Sequence, residues 1–175
     1  MHLWLFGYGS LIWRPDIDYV ERREARVRGW IRRFWQGSHD HRGVPEAPGR
    51  VVTLVPDDGG SCDGMAYLVD AGVVAETFSQ LDHREKNGYV RHAVELQFRD
   101  GNPAAEGVMY IAPVGNFAYL GPAPLAHMAR QIRDSRGPSG RNIDYLLDLA
   151  RALREIDAVD EHVFELETAV KEALP

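Results

Sequence analysis

Residues 91–112 read RHAVELQFRDGNPAAEGVMYIA, and this stretch decides the fold class. Two runs, 91–98 and 107–112, are rich in β-branched, aromatic and aliphatic residues. They flank Asp100-Gly101-Asn102, a tight-turn signature, and so predict neighbouring strands joined by a short connection. Working outward, Trp4-Leu5-Phe6 predicts a short apolar strand that stops at Gly7-Tyr8-Gly9-Ser10. Residues 50–55 form a β-branched run closed by Pro56-Asp57-Asp58-Gly59, and 64–69 supply another strand, giving at least five in all. Apolar residues at helical spacing come in separate blocks, at 71–81, 125–132, 143–156 and 162–174. Strands and helices do not alternate as a doubly wound parallel sheet requires. The expectation is therefore an α+β fold with a curled, mostly antiparallel sheet.

Composition narrows the function classes. A chain of 175 residues, 45% of them hydrophobic, can bury one sizeable core, which predicts a single domain over 1–175. No Gly/Ser tract, charge block or internal repeat divides it. No apolar run approaches the roughly 20 residues of a membrane-spanning helix. The N-terminal Met1-His2-Leu3-Trp4 lacks the basic leader of a secretion signal, so a cytoplasmic setting is expected. The lone cysteine, Cys62, has no internal disulfide partner, follows the turn-like Asp57-Asp58-Gly59-Gly60-Ser61, and is given no catalytic role. A net charge of −6 argues against nucleic-acid partners, which need a surplus of cations on one face. The basic stretch 22–33 is interrupted by Glu24 and Trp30 and reads as a solvated strand edge or a pocket for an anionic substrate.

Three segments carry chemistry. In Phe6-Gly7-Tyr8-Gly9-Ser10-Leu11-Ile12-Trp13, two glycines around a tyrosine at a strand end suit either a turn packed into the core or a cradle of amide N–H groups for an anion. The Gly-Lys-Ser/Thr of a nucleotide loop does not follow. In residues 32–43, RRFWQGSHDHRG, polar groups cluster beside aromatics. His39 and His41 have no second spaced His/Cys pair to complete a metal site, so no metal is expected, and the segment reads as a polar loop that contacts substrate or caps the sheet. In residues 81–89, LDHREKNGY, acid, base and cation crowd together. That pattern fits a helix C-terminus capped by Gly88 and equally a carboxylate held at a pocket rim. Ser10, Asp82 and His83 do not make an acyl-transfer triad, because Ser10 lies in Gly-Tyr-Gly-Ser and not in a Gly-x-Ser-x-Gly elbow.

Taken together these phrases resemble the ChaC-like, glutathione-specific γ-glutamylcyclotransferases. The similarity lies in FGYGSLIW at 6–13, RRFWQGSHDHRG at 32–43, PGRVVTLV at 48–55, LDHREKNGY at 81–89, YLGP at 119–122 and GPSGRN at 137–142, in the family's order over nearly the whole chain. The departures are His at position 83 and Ser79-Gln80 where the second residue is often aromatic. The resemblance implies a partly closed β-barrel with flanking helices, a cytosolic setting, no cofactor and a small-molecule substrate, glutathione. It implies a general base at Glu85 and a loop of Tyr8, Gly9, Ser10 and Leu11 that holds the γ-glutamyl group through its backbone. More distant cyclotransferases suggest Tyr110 and Tyr119 near substrate, and Gln36 and Arg42 come from the polar second segment. Cations from Arg32 and Arg33 to Arg42 are expected to recognise a second carboxylate beyond the γ-glutamyl group.

Overall fold

In a computed structural model that describes residues 1–173 the strands are β1 (Leu3–Gly7), β2 (Glu21–Ser38), β3 (Gly49–Val69), β4 (Val90–Phe98) and β5 (Ala105–Ile111). β2 matches no expected strand, because its charged residues hide the pairing with β3, and it takes in residues 32–38, the first part of the segment expected to be a polar loop. β4 and β5 form the hairpin read from residues 91–112, paired antiparallel from Val90↔Ile111 to Leu96↔Ala105. Its turn uses Gly101 at φ +83°, and the Asn102 N–H donates to Asp100 Oδ1 at 2.9 Å. The sheet runs β1-β3-β2-β4-β5 and closes into a barrel, so closure is complete where the sequence suggested it was partial. The seam is the one parallel pairing, Trp4↔Gly107 and Leu5↔Val108. A β-carbon at Gly107 would meet the Trp4 carbonyl at 2.9 Å, which is why glycine occupies that seam.

Two strands differ from expectation. β3 does not turn back at Pro56-Asp57-Asp58-Gly59. It continues to Val69 opposite β2 as a long hairpin, with Arg28↔Ser61 and Trp30↔Pro56 as successive pairs. Residues 57–60 thus bulge opposite Gly29, whose φ of +83° bends β2 at the same point. The turn-forming residues mark a bulge rather than a reversal. Cys62 accordingly lies inside a strand, 3% exposed in the core, and burial pushes its thiol up to about 12.

Helix α1 (Val74–Arg84) packs against one side of the barrel, where Phe78 and Leu81 join Leu5, Leu11 and Tyr110. Helices α2 (Leu125–Asp134), α3 (Asn142–Glu155) and α4 (Glu161–Glu172) form a second layer over β2 and β3, with Ile132, Leu146, Leu149, Leu153, Val163 and Leu166 facing the barrel core. A minimal hairpin, β6 (Arg136–Gly137) with β7 (Gly140–Arg141), leads into α3. The Asp160 side chain caps α4 by accepting the Val163 N–H at 3.1 Å. The end of that helix expected at Leu174 lies outside the described residues. Among the described residues no helix is long and apolar enough to cross a membrane.

Candidate active site

The loop after β1 has its carbonyls committed to the protein. Tyr8 C=O accepts from Arg32 Nε at 2.8 Å, Gly9 C=O from the Ile12 N–H at 2.9 Å and Ser10 C=O from the Arg14 N–H at 2.7 Å. Leu11 and Ile12 carbonyls accept from the buried Tyr67 hydroxyl at 2.6 and 3.1 Å. Among the described residues, the N–H groups of Gly9, Ser10 and Leu11 donate to no protein acceptor. A loop with its acceptors used and its donors free has the hydrogen-bonding character that an anion cradle needs. Gly9 is required by space and not by a left-handed backbone, since a β-carbon there would meet Val52 Cγ2 at 2.9 Å and the Tyr145 hydroxyl at 3.0 Å.

Those residues line a recess of about 340 Å³ together with Tyr8, Val52, Glu85, Tyr89, Tyr110 and Tyr145. An outer cleft of about 580 Å³ adds Arg14, Ser38, Asp40, His41, Arg42 and Ser139. Ser10, Glu85, Tyr89 and Tyr145 line both, so Glu85 stands where recess and cleft meet. The chain delivers Glu85 there as the C-cap of α1, its N–H held by the Leu81 carbonyl at 2.8 Å. Arg84 ties that helix end to the glycine loop, donating to Ser10 Oγ at 3.0 Å and to the Arg14 and Pro15 carbonyls. The helix thus ends at Glu85 and not at Gly88 as expected, Gly88 instead turning the chain beyond it at φ +92°, and the residue at the helix end is the carboxylate on the cavity wall.

Burial raises the pKa of Glu85, with the Asp40 charge adding to the rise and Arg84 and His41 opposing it. Arg84 Nε lies 3.8 Å from Glu85 Oε1, too long for a close ion pair, so the carboxyl stays available to a ligand. Tyr8 is also raised, by burial first and then by the Glu85 charge, and its hydroxyl donates to the Tyr110 carbonyl at 2.5 Å. Tyr110 in turn donates to Asp82 Oδ1 at 2.5 Å. Asp82 is held down to about 2 by its hydrogen bonds from Arg91 and Tyr110.

The other candidates separate. Arg42 lines the cleft, its guanidinium 5.8 Å from the Tyr145 ring centre. Gln36 is fully buried and lines neither space; its Nε2 donates to the Asn87 carbonyl and to Asn116 Oδ1, both at 3.0 Å, bracing the segment behind Glu85. Tyr119 bridges Gln36 and is absent from both walls. Arg32 cannot receive a ligand carboxylate, since it is buried on Asp160 Oδ2 at 2.7 Å, and Arg33 stacks over Trp35. Arg14, which no motif flagged, joins Arg42 in the cleft instead.

Among the described residues no group of three His, Cys, Asp or Glu side chains converges to hold a metal ion. His41 Nδ1 sits 3.1 Å from Ser139 Oγ, while buried Asp40 Oδ1 lacks a hydrogen-bond partner. That unpaired oxygen, in the wall of the cleft, is a ready acceptor for a ligand N–H. Tyr89 and Tyr145 also escaped the sequence reading. The only signal for Tyr145 was its place one helical turn after Asn142 in GPSGRN, a phrase noted for its family resemblance and not for its chemistry.

A glutathione-specific γ-glutamylcyclotransferase 1 of Danio rerio is 42% identical over 173 residues, covering 96% of this chain and 88% of the relative. The Homo sapiens protein of the same name is 43% identical over 178 residues, covering 99% and 80%. A crystal structure of the γ-glutamyl cyclotransferase specific to glutathione from yeast superposes with a TM-score of 0.92 at 30% identity, covering 98% of this chain and 96% of that one. The sequence profile of the ChaC-like proteins matches residues 3–173, and with relatives this similar over nearly its full length, the chain belongs to the ChaC-like protein family.

Proposed function

We propose that the chain, as one domain over residues 1–175, is a glutathione-specific γ-glutamylcyclotransferase that releases 5-oxoproline and cysteinylglycine. The observation that carries this reading is Glu85, a half-buried carboxyl of raised pKa at the junction of an N–H-lined recess and an arginine-bearing cleft. The α-carboxylate of the γ-glutamyl group fits the free N–H groups of Gly9, Ser10 and Leu11. In that pose the α-ammonium lies toward Glu85. A carboxylate of raised pKa removes its proton to expose the nucleophilic lone pair, then returns the proton to the departing cysteinyl nitrogen, acting as base and then as acid. Cyclisation is intramolecular, so the recess contributes chiefly by folding the flexible glutamyl chain into its near-attack geometry. The cysteinylglycine end extends into the cleft, where Arg14 and Arg42 supply cations for its carboxylate.

The relatives' names support glutathione as substrate, and Cys62, buried and without a disulfide partner, suits a reducing cytoplasm. Incubating the purified protein with glutathione and assaying 5-oxoproline and cysteinylglycine tests the reading. Absence of both products, with the protein folded, overturns it.

A further inference from the structure

Four tyrosines, Tyr8, Tyr89, Tyr110 and Tyr145, line the recess around Glu85. Three have committed their hydroxyl hydrogen: Tyr8 to the Tyr110 carbonyl at 2.5 Å, Tyr89 to the Val52 carbonyl at 2.7 Å and Tyr110 to Asp82 Oδ1 at 2.5 Å. Tyr145 differs. Its oxygen accepts the Val52 N–H at 3.3 Å, and among the described residues nothing accepts its hydrogen. The ring is held edge-on by Trp13 and Phe34, at 5.4 and 5.9 Å between centres, so the hydroxyl is fixed in place and not a mobile surface group. It lines both recess and cleft, and it lies 3.0 Å from where a β-carbon on Gly9 would be. A positioned donor is thus left over at the point where the scissile bond of a γ-glutamyl substrate would lie.

We infer that the Tyr145 hydroxyl donates the hydrogen bond that receives the oxyanion developing on the γ-carbonyl oxygen during cyclisation. The inference rests on the function proposed above. The α-carboxylate occupies the loop N–H groups, and the oxyanion forms several bonds away from it, so a second donor is needed. Attack of the α-nitrogen forms the lactam C–N bond and moves the carbonyl π pair onto oxygen, where the Tyr145 hydrogen bond holds it without surrendering its proton. Collapse of the tetrahedral species restores the carbonyl and breaks the γ-amide C–N bond. Two of the three ammonium hydrogens leave the attacking nitrogen and end on the leaving nitrogen, carried in turn by Glu85, and the third remains as the lactam N–H. Of the other hydroxyls on both walls, Tyr89 has given its hydrogen to the Val52 carbonyl, and Ser10 accepts from Arg84 and, as an alkanol, is a much weaker acid than a phenol.

The test compares wild type, Tyr145→Phe and Tyr145→3-fluorotyrosine on glutathione, with circular dichroism as a folding check. For Tyr145→Phe, kcat is expected to fall by about 10²- to 10³-fold with KM little changed, the loss typical of one oxyanion donor. A phosphinate analogue of the tetrahedral species is expected to bind Tyr145→Phe more weakly by a similar factor, while 5-oxoproline affinity stays the same. The fluorinated variant keeps ring, acceptor and packing, so it covers the case in which Phe disturbs the fold at Val52. It is expected to retain kcat and phosphinate affinity near those of wild type, because it keeps the donor. A folded Tyr145→Phe within threefold of wild-type kcat overturns the inference, as does a folded fluorinated variant whose kcat falls as far as that of Tyr145→Phe. Failure of wild type itself to form 5-oxoproline overturns the proposed function as well, so the two failures are distinguishable.

Discussion

Glu85 shows how a single position sets both chemistry and stability. Its pKa is raised by burial, so the acid limb of kcat/KM is expected above the ordinary carboxylate range, and a pH–rate profile on glutathione measures it. Glu85→Gln keeps the size but cannot take a proton, and it is expected to lower kcat by about 10²- to 10⁴-fold in a folded protein. The same substitution has a stability consequence whose sign follows from the shift. A carboxyl whose folded pKa exceeds its unfolded value favours the fold when protonated, and that favour is lost as pH rises through the folded pKa. Glu85→Gln never ionises, so its Tm is expected to exceed that of wild type at neutral pH, with the gap closing below about pH 4, where Glu protonates in either state. Thermal melts across that range check it, and a variant less stable than wild type at pH 7 sinks the assignment of Glu85 as a half-buried carboxyl of raised pKa.

Elements explain why the sequence disclosed some of this site and not the rest. The glycines beside Tyr8 marked the loop after β1 but left turn and cradle open, because short glycine motifs recur widely, and the reason for Gly9 is spatial. Gly9 needs room against Val52 and Tyr145, so even Gly9→Ala is expected to raise KM for glutathione severalfold, and Gly9→Val to abolish measurable turnover, with circular dichroism unchanged. Unaltered steady-state constants for folded Gly9→Val would show a plain turn. The β4–β5 hairpin was legible because its turn chemistry and alternation agree, whereas the length of β3 was not. Pro56-Asp57-Asp58-Gly59 has the composition of a reversal, and only pairing with Gly29 on a distant segment makes it a bulge. The same blindness to pairing misassigned Arg32, because an isolated cation does not announce that Asp160, far along the chain, already occupies it. What remains for recognising a second carboxylate is Arg42, at the tip of the β2–β3 hairpin, and Arg14 after the loop. Glutathione is therefore expected to exceed γ-glutamylcysteine in kcat/KM by at least tenfold, and Arg42→Ala to shrink that ratio. Equal efficiencies on the two substrates would remove the arginines from specificity.

The helical layer does more than cover the barrel, because a line of contacts joins it to the glycine loop. Asp160 caps α4 and also holds buried Arg32 at 2.7 Å, and Arg32 donates to the Tyr8 carbonyl at 2.8 Å. Two residues on, His162 Nε2 accepts the Phe34 N–H of β2 at 2.9 Å, so α4 is docked through an imidazole that must stay neutral to accept. Burial, reinforced by the nearby Arg33, pushes His162 down to about 4. For a base held neutral in the fold, the unfolded chain binds the extra proton first. Stability is then fully present above the unfolded pKa of about 6.5 and is lost as pH falls toward the folded value, by at most roughly 3 kcal/mol for a shift of this size. The depressed carboxylates do not obscure that window: Asp82, at about 2, and Glu167, lowered by its hydrogen bond from Arg154, withdraw their contributions mainly below about pH 4. Glu85, whose raised pKa favours the fold as pH falls, acts alike in wild type and in His162→Gln. Urea unfolding between pH 7.5 and 4.5 is therefore expected to show wild type losing stability with acid relative to His162→Gln, which can still accept from Phe34 but cannot ionise. Parallel profiles for the two proteins would mean that His162 titrates normally and that α4 is docked by its apolar face alone.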